Sequence, residues 1–135
     1  MVALPDPNYW RILLAFVVYM VLGFITYSPK TPSGKFWMKE IDMKPEDMQA
    51  NSVHFIIHFI FSLITVWGIF VVISWYKWLY GSTVIDRMGI AFLLWLVFAV
   101  PSTYATVAFE NRKVTLWELF AGYQLVGFLL IAIIL

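Results

Sequence analysis

Apolar residues gather in four long runs along the chain. The runs occupy about residues 9–27, 53–76, 88–109 and 114–135. A helix needs roughly 20 mostly apolar residues to cross the hydrocarbon of a bilayer, and each run meets that length. Backbone groups in hydrocarbon must be hydrogen-bonded within the segment, so each run is expected to be helical. The pattern predicts an all-α protein, a four-transmembrane-helix bundle in a single integral membrane domain over residues 1–135.

The longest polar stretch, residues 28–52, connects the first and second runs. It opens with SPKTPSG, whose two prolines and glycine indicate a turn that ends the first helix. The following GKFWMKEI sets aromatic and apolar residues among lysines, which predicts a short interfacial segment between helices 1 and 2. Pro45, with Glu46 and Asp47 behind it, is typical of a helix start. We therefore expect the second helix to begin near residue 44 and to enter the bilayer without interruption.

Composition separates this chain from soluble proteins. It is 62% hydrophobic and 13% charged, with a mean hydropathy of +0.84, whereas a soluble domain is about 45–50% apolar and about 25% charged. With a net charge of +1 and no basic stripe, no nucleic-acid partner is expected. Cysteine is absent, and neither a Gly-rich phosphate loop nor a Ser-His-Asp pattern occurs. The expected partners are the lipid bilayer and other membrane-protein subunits or a second copy; neither a cofactor nor an enzymatic activity is predicted.

An even number of spans places both termini on one side, here called side A, together with the 77–87 loop. Side B holds the connections 28–52 and 110–113. Side A carries Arg11, Lys77 and Arg87, and side B carries six cations: Lys30, Lys35, Lys39, Lys44, Arg112 and Lys113. Cytoplasmic loops are enriched in Lys and Arg. The count predicts a multi-pass protein with the side-B connections in the cytoplasm and the termini on the opposite side.

A polar stripe runs along the second helix. At about 100° per residue, Asn51, His54, His58, Ser62 and Thr65 fall within an arc of about 80°. Ionisable groups are costly in hydrocarbon, so this face should meet protein or water. The third and fourth helices carry polar residues at the same depth, toward side B. The sequence predicts a polar pocket in the side-B half, built from His54, His58, Ser62, Thr65, Thr106, Glu110, Glu118, Tyr123 and Gln124.

Three hypotheses account for this pocket. Interhelical hydrogen bonding fits a non-catalytic accessory or interaction subunit of a membrane protein complex, whose apolar side-A half packs against lipid or partner helices. Alternatively, the pocket serves an oligomeric transporter of protons or small solutes, with His58 and Glu118 as titrating groups. Metal binding is the third hypothesis, because His54 and His58 lie four residues apart and Glu118 or Glu110 could add a carboxylate. The HxxxH pattern lacks the glutamate of zinc proteases, so no metal is assigned. The accessory subunit is the favoured function.

Pro101 interrupts the third run. Proline lacks an amide hydrogen and crowds the preceding turn, so a kink is expected there. The hydroxyls of Ser102, Thr103 and Thr106 could satisfy the carbonyls that the kink releases.

Short motifs in both halves resemble a known family. After the first run stand Tyr27-Ser28-Pro29 and a Gly-Lys-Phe-Trp-Met segment; the second half has a Phe-Glu-x-Arg turn and a Gly-Tyr pair. In these features the chain resembles small bacterial membrane proteins of domain-of-unknown-function family 1761. The resemblance implies four helices, a small integral membrane protein and no established activity. Asn111 replaces the expected glycine of the turn, and the two histidines are not part of the pattern. The motif residues are Tyr27, Ser28, Pro29, Gly34, Lys35, Trp37, Glu110, Arg112, Gly122 and Tyr123.

Overall fold

The computed structural model describes residues 6–48 and 52–135, and these form five α-helices without a strand. The helices are α1 (Tyr9–Tyr27), α2 (Pro32–Glu40), α3 (Ser52–Tyr80), α4 (Val84–Glu110) and α5 (Val114–Ile134). All except α2 are long and apolar enough to cross a bilayer. The predicted all-α bundle of four spanning helices is therefore confirmed. α3 and α4 are longer than the apolar runs that indicated them, because their polar and aromatic ends continue the helices toward side A.

The connection between α1 and α3 contains two short helical pieces. α2 is capped by Thr31, whose hydroxyl accepts a 3.2 Å hydrogen bond from the amide of Gly34. Pro45–Asp47 forms only one 3₁₀ turn, and Met48 after it is extended, with φ −71° and ψ 97°. The expectation of an uninterrupted second helix from residue 44 is therefore wrong. The Asp47 carboxylate accepts a 3.4 Å hydrogen bond from the amide of Lys44, so this turn is stabilised by a contact between its own ends.

α1 and α5 lie at the centre of the bundle, with α3 packed on α1 and α4 packed on α5. The buried core lies in the middle and the side-A half of the bundle. Its fully buried members come from all four spanning helices: Ala15, Val66, Ala91, Ile131 and Ala132. In the side-B half, by contrast, every residue of α3 from 52 to 61 is exposed. The apolar side-A half of the bundle is thus the tightly packed half. In the side-B half, which is richer in polar residues, α3 is exposed.

A π-helical segment, Trp95–Ala99, lies in α4 and ends two residues before Pro101. Proline removes one amide donor and clashes with the preceding turn, and a wider turn accommodates both effects. The Ser102 hydroxyl donates to the carbonyl of Phe98 at 2.5 Å, and the Thr103 hydroxyl donates to that of Ala99 at 2.6 Å. Both hydroxyls thus donate to carbonyls one turn back in α4, beside the carbonyl of Val97 that Pro101 leaves without its amide donor.

The turn between α4 and α5 depends on Asn111. This residue has φ 52° and ψ 29°, the left-handed conformation that ends many helices. Its amide and that of Arg112 both donate to the carbonyl of Thr106. Asparagine adopts this conformation more readily than other residues with side chains. That tolerance accounts for Asn111 at a position where the family-like turn has glycine.

Candidate functional site

A cavity of about 540 Å³ lies in the side-B half, between α1, α3 and α5. We call it the side-B cavity. α1 contributes Met20, Gly23, Phe24 and Tyr27, which recur every three to four residues and so share one face of the helix. α3 contributes Phe55 and His58, and α5 contributes Tyr123. Part of the connection after α1 covers the side-B end, with Ser28, Pro29, Thr31 and Met48.

Aromatic pairs hold α3 against α1 along one edge of the cavity. The rings of Phe16 and Phe59 meet edge to face, with centroids 4.6 Å apart. Nearer side B, the centroids of Phe24 and Phe55 lie 5.6 Å apart. Such contacts contribute about 0.5–1.5 kcal/mol each beyond the area that they bury. They fix the distance between the two helices and so the width of the side-B cavity.

A cluster of tyrosines forms the wall on the α5 side. The ring of Tyr123 stacks on Tyr19, with centroids 5.5 Å apart and planes at 2°, and meets Tyr27 edge to face at 5.9 Å. Tyr27 also contacts Trp37 of α2 edge to face, at 5.1 Å. Gly23 makes room for this wall, because a Cβ there would lie 3.1 Å from the Tyr123 hydroxyl.

The cover of the cavity is fixed by local hydrogen bonds. The Thr31 hydroxyl donates to the carbonyl oxygens of Ile25, at 2.6 Å, and Ser28, at 3.0 Å. Gly34 is buried against the same turn, and a Cβ built on it would overlap the backbone of Ser28. The motif that follows α1 therefore has a structural basis: the turn after α1 and the first turn of α2 pack backbone to backbone.

α2 is in turn attached to the start of α5. The Lys113 ammonium donates to the carbonyl of Glu40 at 2.8 Å and lies 3.7 Å from its carboxylate. The Thr115 hydroxyl also donates to that carboxylate, at 2.8 Å. Beside this contact, Arg112 lines a smaller pocket of about 290 Å³ together with Tyr27 and Trp37. Motif residues from the two halves of the sequence thus meet next to the side-B cavity.

The side-B cavity is largely apolar, and among the residues that the structure describes no Lys, Arg, Asp or Glu lines it. Its polar groups are the His58 imidazole, the phenols of Tyr27 and Tyr123, and the hydroxyls of Ser28 and Thr31. A site of this kind can hold an uncharged molecule and offer it a few hydrogen bonds.

Two of the nine residues predicted for a polar pocket, His58 and Tyr123, line the side-B cavity. Ser62 is buried farther along α3, and His54 is exposed near its start. Two hydroxyls are used within their own helices: Thr65 donates to the carbonyl of Phe61 at 2.9 Å, and Thr106 donates to that of Thr103 at 2.8 Å. The remaining three are Glu110 and Glu118, which are exposed, and Gln124, which is half-buried. Asn51 lies outside the described residues.

The two histidines and the carboxylates are not brought together. Within residues 6–48 and 52–135, no three His, Asp or Glu side chains are arranged to hold a metal ion. Glu110 and Glu118, the carboxylates considered as ligands beside His54 and His58, do not line the side-B cavity.

Sequence reasoning missed most of the cavity lining. Met20, Phe24, Phe55 and Met48 are apolar and so look the same as lipid-facing residues in the sequence. Gly23 is the one available signal, because a glycine inside a helix often marks close packing. Arg11, Lys77 and Arg87 also lie together in the structure, which their distant positions in the sequence do not indicate.

Fold and composition together define a small multi-pass helical membrane protein. The profile of the family described as "Protein of unknown function (DUF1761)" matches residues 10–135, and the chain belongs to this family. The resemblance carried by the short motifs is thereby confirmed. Neither the curated proteins nor the solved structures contain a match.

Proposed function

We propose that the protein binds a small neutral amphiphile in the side-B cavity. The observation that carries the proposal is the composition of the cavity wall. Tyr27, Ser28 and Tyr123, which belong to motifs in separate halves of the sequence, line one space together with His58. The volume of about 540 Å³ lies within the roughly 300–1,000 Å³ typical of small-molecule sites.

The chemistry of the lining defines the ligand class. Because none of the described lining residues is charged, an ionic ligand would lose its hydration and gain no ion pair there. The apolar surfaces of Met20, Phe24 and Phe55 suit a short hydrocarbon body. His58 and Tyr123 can exchange hydrogen bonds with a hydroxyl, ester or ketone group. A molecule with a neutral polar head and a short apolar body meets both requirements.

Access from the bilayer is consistent with the packing of α3. Its segment 52–61, which contains the cavity residues Phe55 and His58, is exposed throughout. An amphiphile could therefore enter from the side-B leaflet without crossing the packed core. The excess of cations on side B supports a cytoplasmic position for this leaflet, with the termini on the opposite side.

Photo-crosslinking tests the proposal in the full chain reconstituted in nanodiscs. The probe is a short-chain monoacylglycerol carrying a diazirine and an alkyne. We expect labelling to concentrate in peptides that contain residues 20–31 and 55–58, and to fall on competition with the unmodified compound. His58→Phe fills the cavity and removes its imidazole, so labelling should drop several-fold. His54→Phe changes the same residue type on the same helix, outside the lining, and should label as the wild type does.

Two results would contradict ligand binding at this site. One is labelling spread evenly over the lipid-facing residues of all four spanning helices. The other is an equal effect of the His58 and His54 substitutions. Circular dichroism and size-exclusion profiles of both variants establish that any loss of labelling does not come from unfolding.

A second candidate is the accessory or interaction subunit that the sequence analysis favoured. It is supported by the exposed segment 52–61 of α3, where His58 lies on a helix surface made mostly of Phe, Ile and Val. An imidazole is costly in contact with lipid tails, and a polar group on a partner helix would lower that cost. The occupant on this hypothesis is a different membrane protein. Native mass spectrometry after mild extraction should find it at fixed stoichiometry, and a chain isolated alone or only with copies of itself contradicts the hypothesis.

The transport alternative has less support. A path across the bilayer would have to pass the side-A half, where Ala15, Val66 and Ile131 are fully buried and the packing is apolar. Transport would require rearrangement of this core or an oligomer. Proton or solute flux in liposomes that falls in His58→Ala or Glu118→Ala would restore this alternative.

A further inference from the structure

The three cations of side A converge on one cavity at the opposite end of the bundle from the side-B cavity. Arg11 comes from the first turn of α1, Lys77 from the last turn of α3, and Arg87 from the first turn of α4. All three line a cavity of about 330 Å³, which we call the side-A cavity. Its other walls include the buried side chains of Ile73 and Ser74. Residues far apart in sequence thus concentrate positive charge at one place.

Among the described residues, nearby acids do not form ion pairs with these cations. Asp86 adjoins Arg87 in sequence, and its carboxylate accepts hydrogen bonds from both the amide and the hydroxyl of Thr83, at 2.7 and 2.8 Å, which cap α4. Asp6 lines the side-A cavity, yet in the described part of the chain the ion pairs within 4.0 Å do not include it or any of the three cations. Counting Asp86 together with Asp6, the three cations at this end outnumber the acidic side chains by three to two.

Arg87, in the wall of this cavity, has an unsatisfied hydrogen-bond donor. Its Nε atom is buried and has no hydrogen-bond partner among the described residues. A buried donor on a charged group is costly when it is left unsatisfied. A guanidinium offers two parallel N–H groups that match the oxygens of a phosphate. The Ser74 hydroxyl, buried in the same wall, provides a further donor.

The level of the side-A cavity favours a lipid headgroup over a soluble phosphate as its ligand. Trp10 and Trp78 are 81% and 65% exposed near this end of the bundle, and Trp78 lines the cavity itself. Exposed aromatic residues of this kind mark the headgroup region of a bilayer. Basic pockets between spanning helices bind anionic lipid headgroups on the cytoplasmic or matrix side of membranes, and the side-A cavity offers the same chemistry at the opposite side.

We propose that the side-A cavity binds the phosphate group of an anionic phospholipid through Arg11, Lys77 and Arg87. The hydrocarbon tails of that lipid would lie along the adjoining apolar surface, while the headgroup enters between α1, α3 and α4. This inference is independent of the proposed function, which concerns another cavity and a neutral ligand.

Binding can be measured on the full chain purified in a neutral detergent, with native mass spectrometry and thermal unfolding as readouts. The probes are phosphatidylglycerol, phosphatidylcholine and inorganic phosphate at millimolar concentration. Phosphatidylglycerol should bind more tightly than phosphatidylcholine and should raise the unfolding temperature. Each cation removed should weaken phosphatidylglycerol binding about fivefold. Inorganic phosphate should have little effect if the site requires a lipid.

Variants distinguish an effect of charge on lipid binding from an effect on folding. Arg11 and Lys77 are exposed, so the double variant R11Q/K77Q should fold normally and lose most of the preference for phosphatidylglycerol. The matched control is K30Q/K35Q, two exposed lysines of side B, which should bind as the wild type does. R87K keeps the charge but not the paired N–H groups, so its affinity should lie between those of the wild type and R87Q.

The proposal fails if the wild type binds the two phospholipids equally, or if R11Q/K77Q retains the preference. Protection by inorganic phosphate as strong as that by phosphatidylglycerol would assign the site to a soluble phosphate, and the lipid proposal would then be wrong.

Discussion

The ring of Tyr19 on α1 lies directly against the backbone of Gly127 on α5. A Cβ built on Gly127 would fall 2.6 Å from the Tyr19 Cδ2 atom, well inside van der Waals contact. The same ring also stacks on Tyr123, which lies one turn earlier on α5. The two central helices of the bundle can therefore approach closely, because the large Tyr19 ring of α1 packs where α5 has a glycine. Small residues often allow such close contact between membrane helices.

Substitution of Gly127 by alanine should destabilise the bundle. The added methyl must displace the Tyr19 ring, and overpacking of this kind costs about 1–3 kcal/mol. The free energy of unfolding, measured by titration with SDS from a mild detergent, should fall by that amount. Gly122→Ala is the matched control on the same helix, because nothing lies within 4 Å of a Cβ there. Equal stability of the two variants would rule out the close contact.

Gly34→Ala should release α2 from the end of α1. The new Cβ would overlap the backbone of Ser28, which cannot move as a flexible side chain can. We expect the connection between α1 and α3 to become sensitive to protease while the spanning helices stay protected. Mass spectrometry after limited trypsin digestion should show early cleavage at Lys35 and Lys39.

Gly89→Ala provides the comparison for Gly34→Ala, since Gly89 is also helical and has open space around its Cα. Its digestion pattern should match the wild type. Unchanged protection of Lys35 and Lys39 in Gly34→Ala would show that the turn and α2 do not pack backbone to backbone.

The spanning helices could be predicted because lipid imposes a requirement that the sequence displays directly, a long uninterrupted apolar run. How those helices pack could not be predicted in the same way. Ile131 is fully buried and Ile133, two residues later on α5, is 45% exposed, yet both are equally apolar. In water the exposed position would be polar and would reveal the orientation of the helix. In lipid both faces are apolar, so that information is lost.

The predicted polar pocket shows a second limit of sequence reasoning. Helical periodicity places His58 and Thr65 on one stripe, but it does not say which polar groups are already satisfied. The hydroxyls of Thr65 and Thr106 donate to carbonyls one turn back in their own helices. They therefore need no shared site. The side-B cavity depends instead on how residues 28–31 and Met48 fold back over the bundle, which follows from contacts distant from the stripe.

Thr103 should contribute more to stability than its neighbour Ser102. Both hydroxyls donate to carbonyls of α4, but Thr103 also accepts a 3.0 Å hydrogen bond from the indole nitrogen of Trp117 on α5. Thr103→Val keeps the shape and removes this interhelical bond. Bonds of this kind average about 0.6 kcal/mol and reach about 1.7 in membrane proteins. The loss in SDS unfolding should fall in that range and exceed that of Ser102→Ala; the reverse order would contradict the contact.

The contact between Glu40 and α5 should matter for the position of α2 more than for global stability. The Lys113 side chain is 59% exposed, and ion pairs at that exposure contribute about 0–1 kcal/mol. Lys113→Ala should therefore change the unfolding temperature little, and less still in 1 M salt.

Glu40→Ala removes the carboxylate that both Lys113 and Thr115 contact. It should accelerate trypsin cleavage at Lys35 several-fold, whereas Asp42→Ala, which alters an exposed acid two residues away, should not. Equal cleavage rates in the two variants would mean that α2 is held in place without this contact.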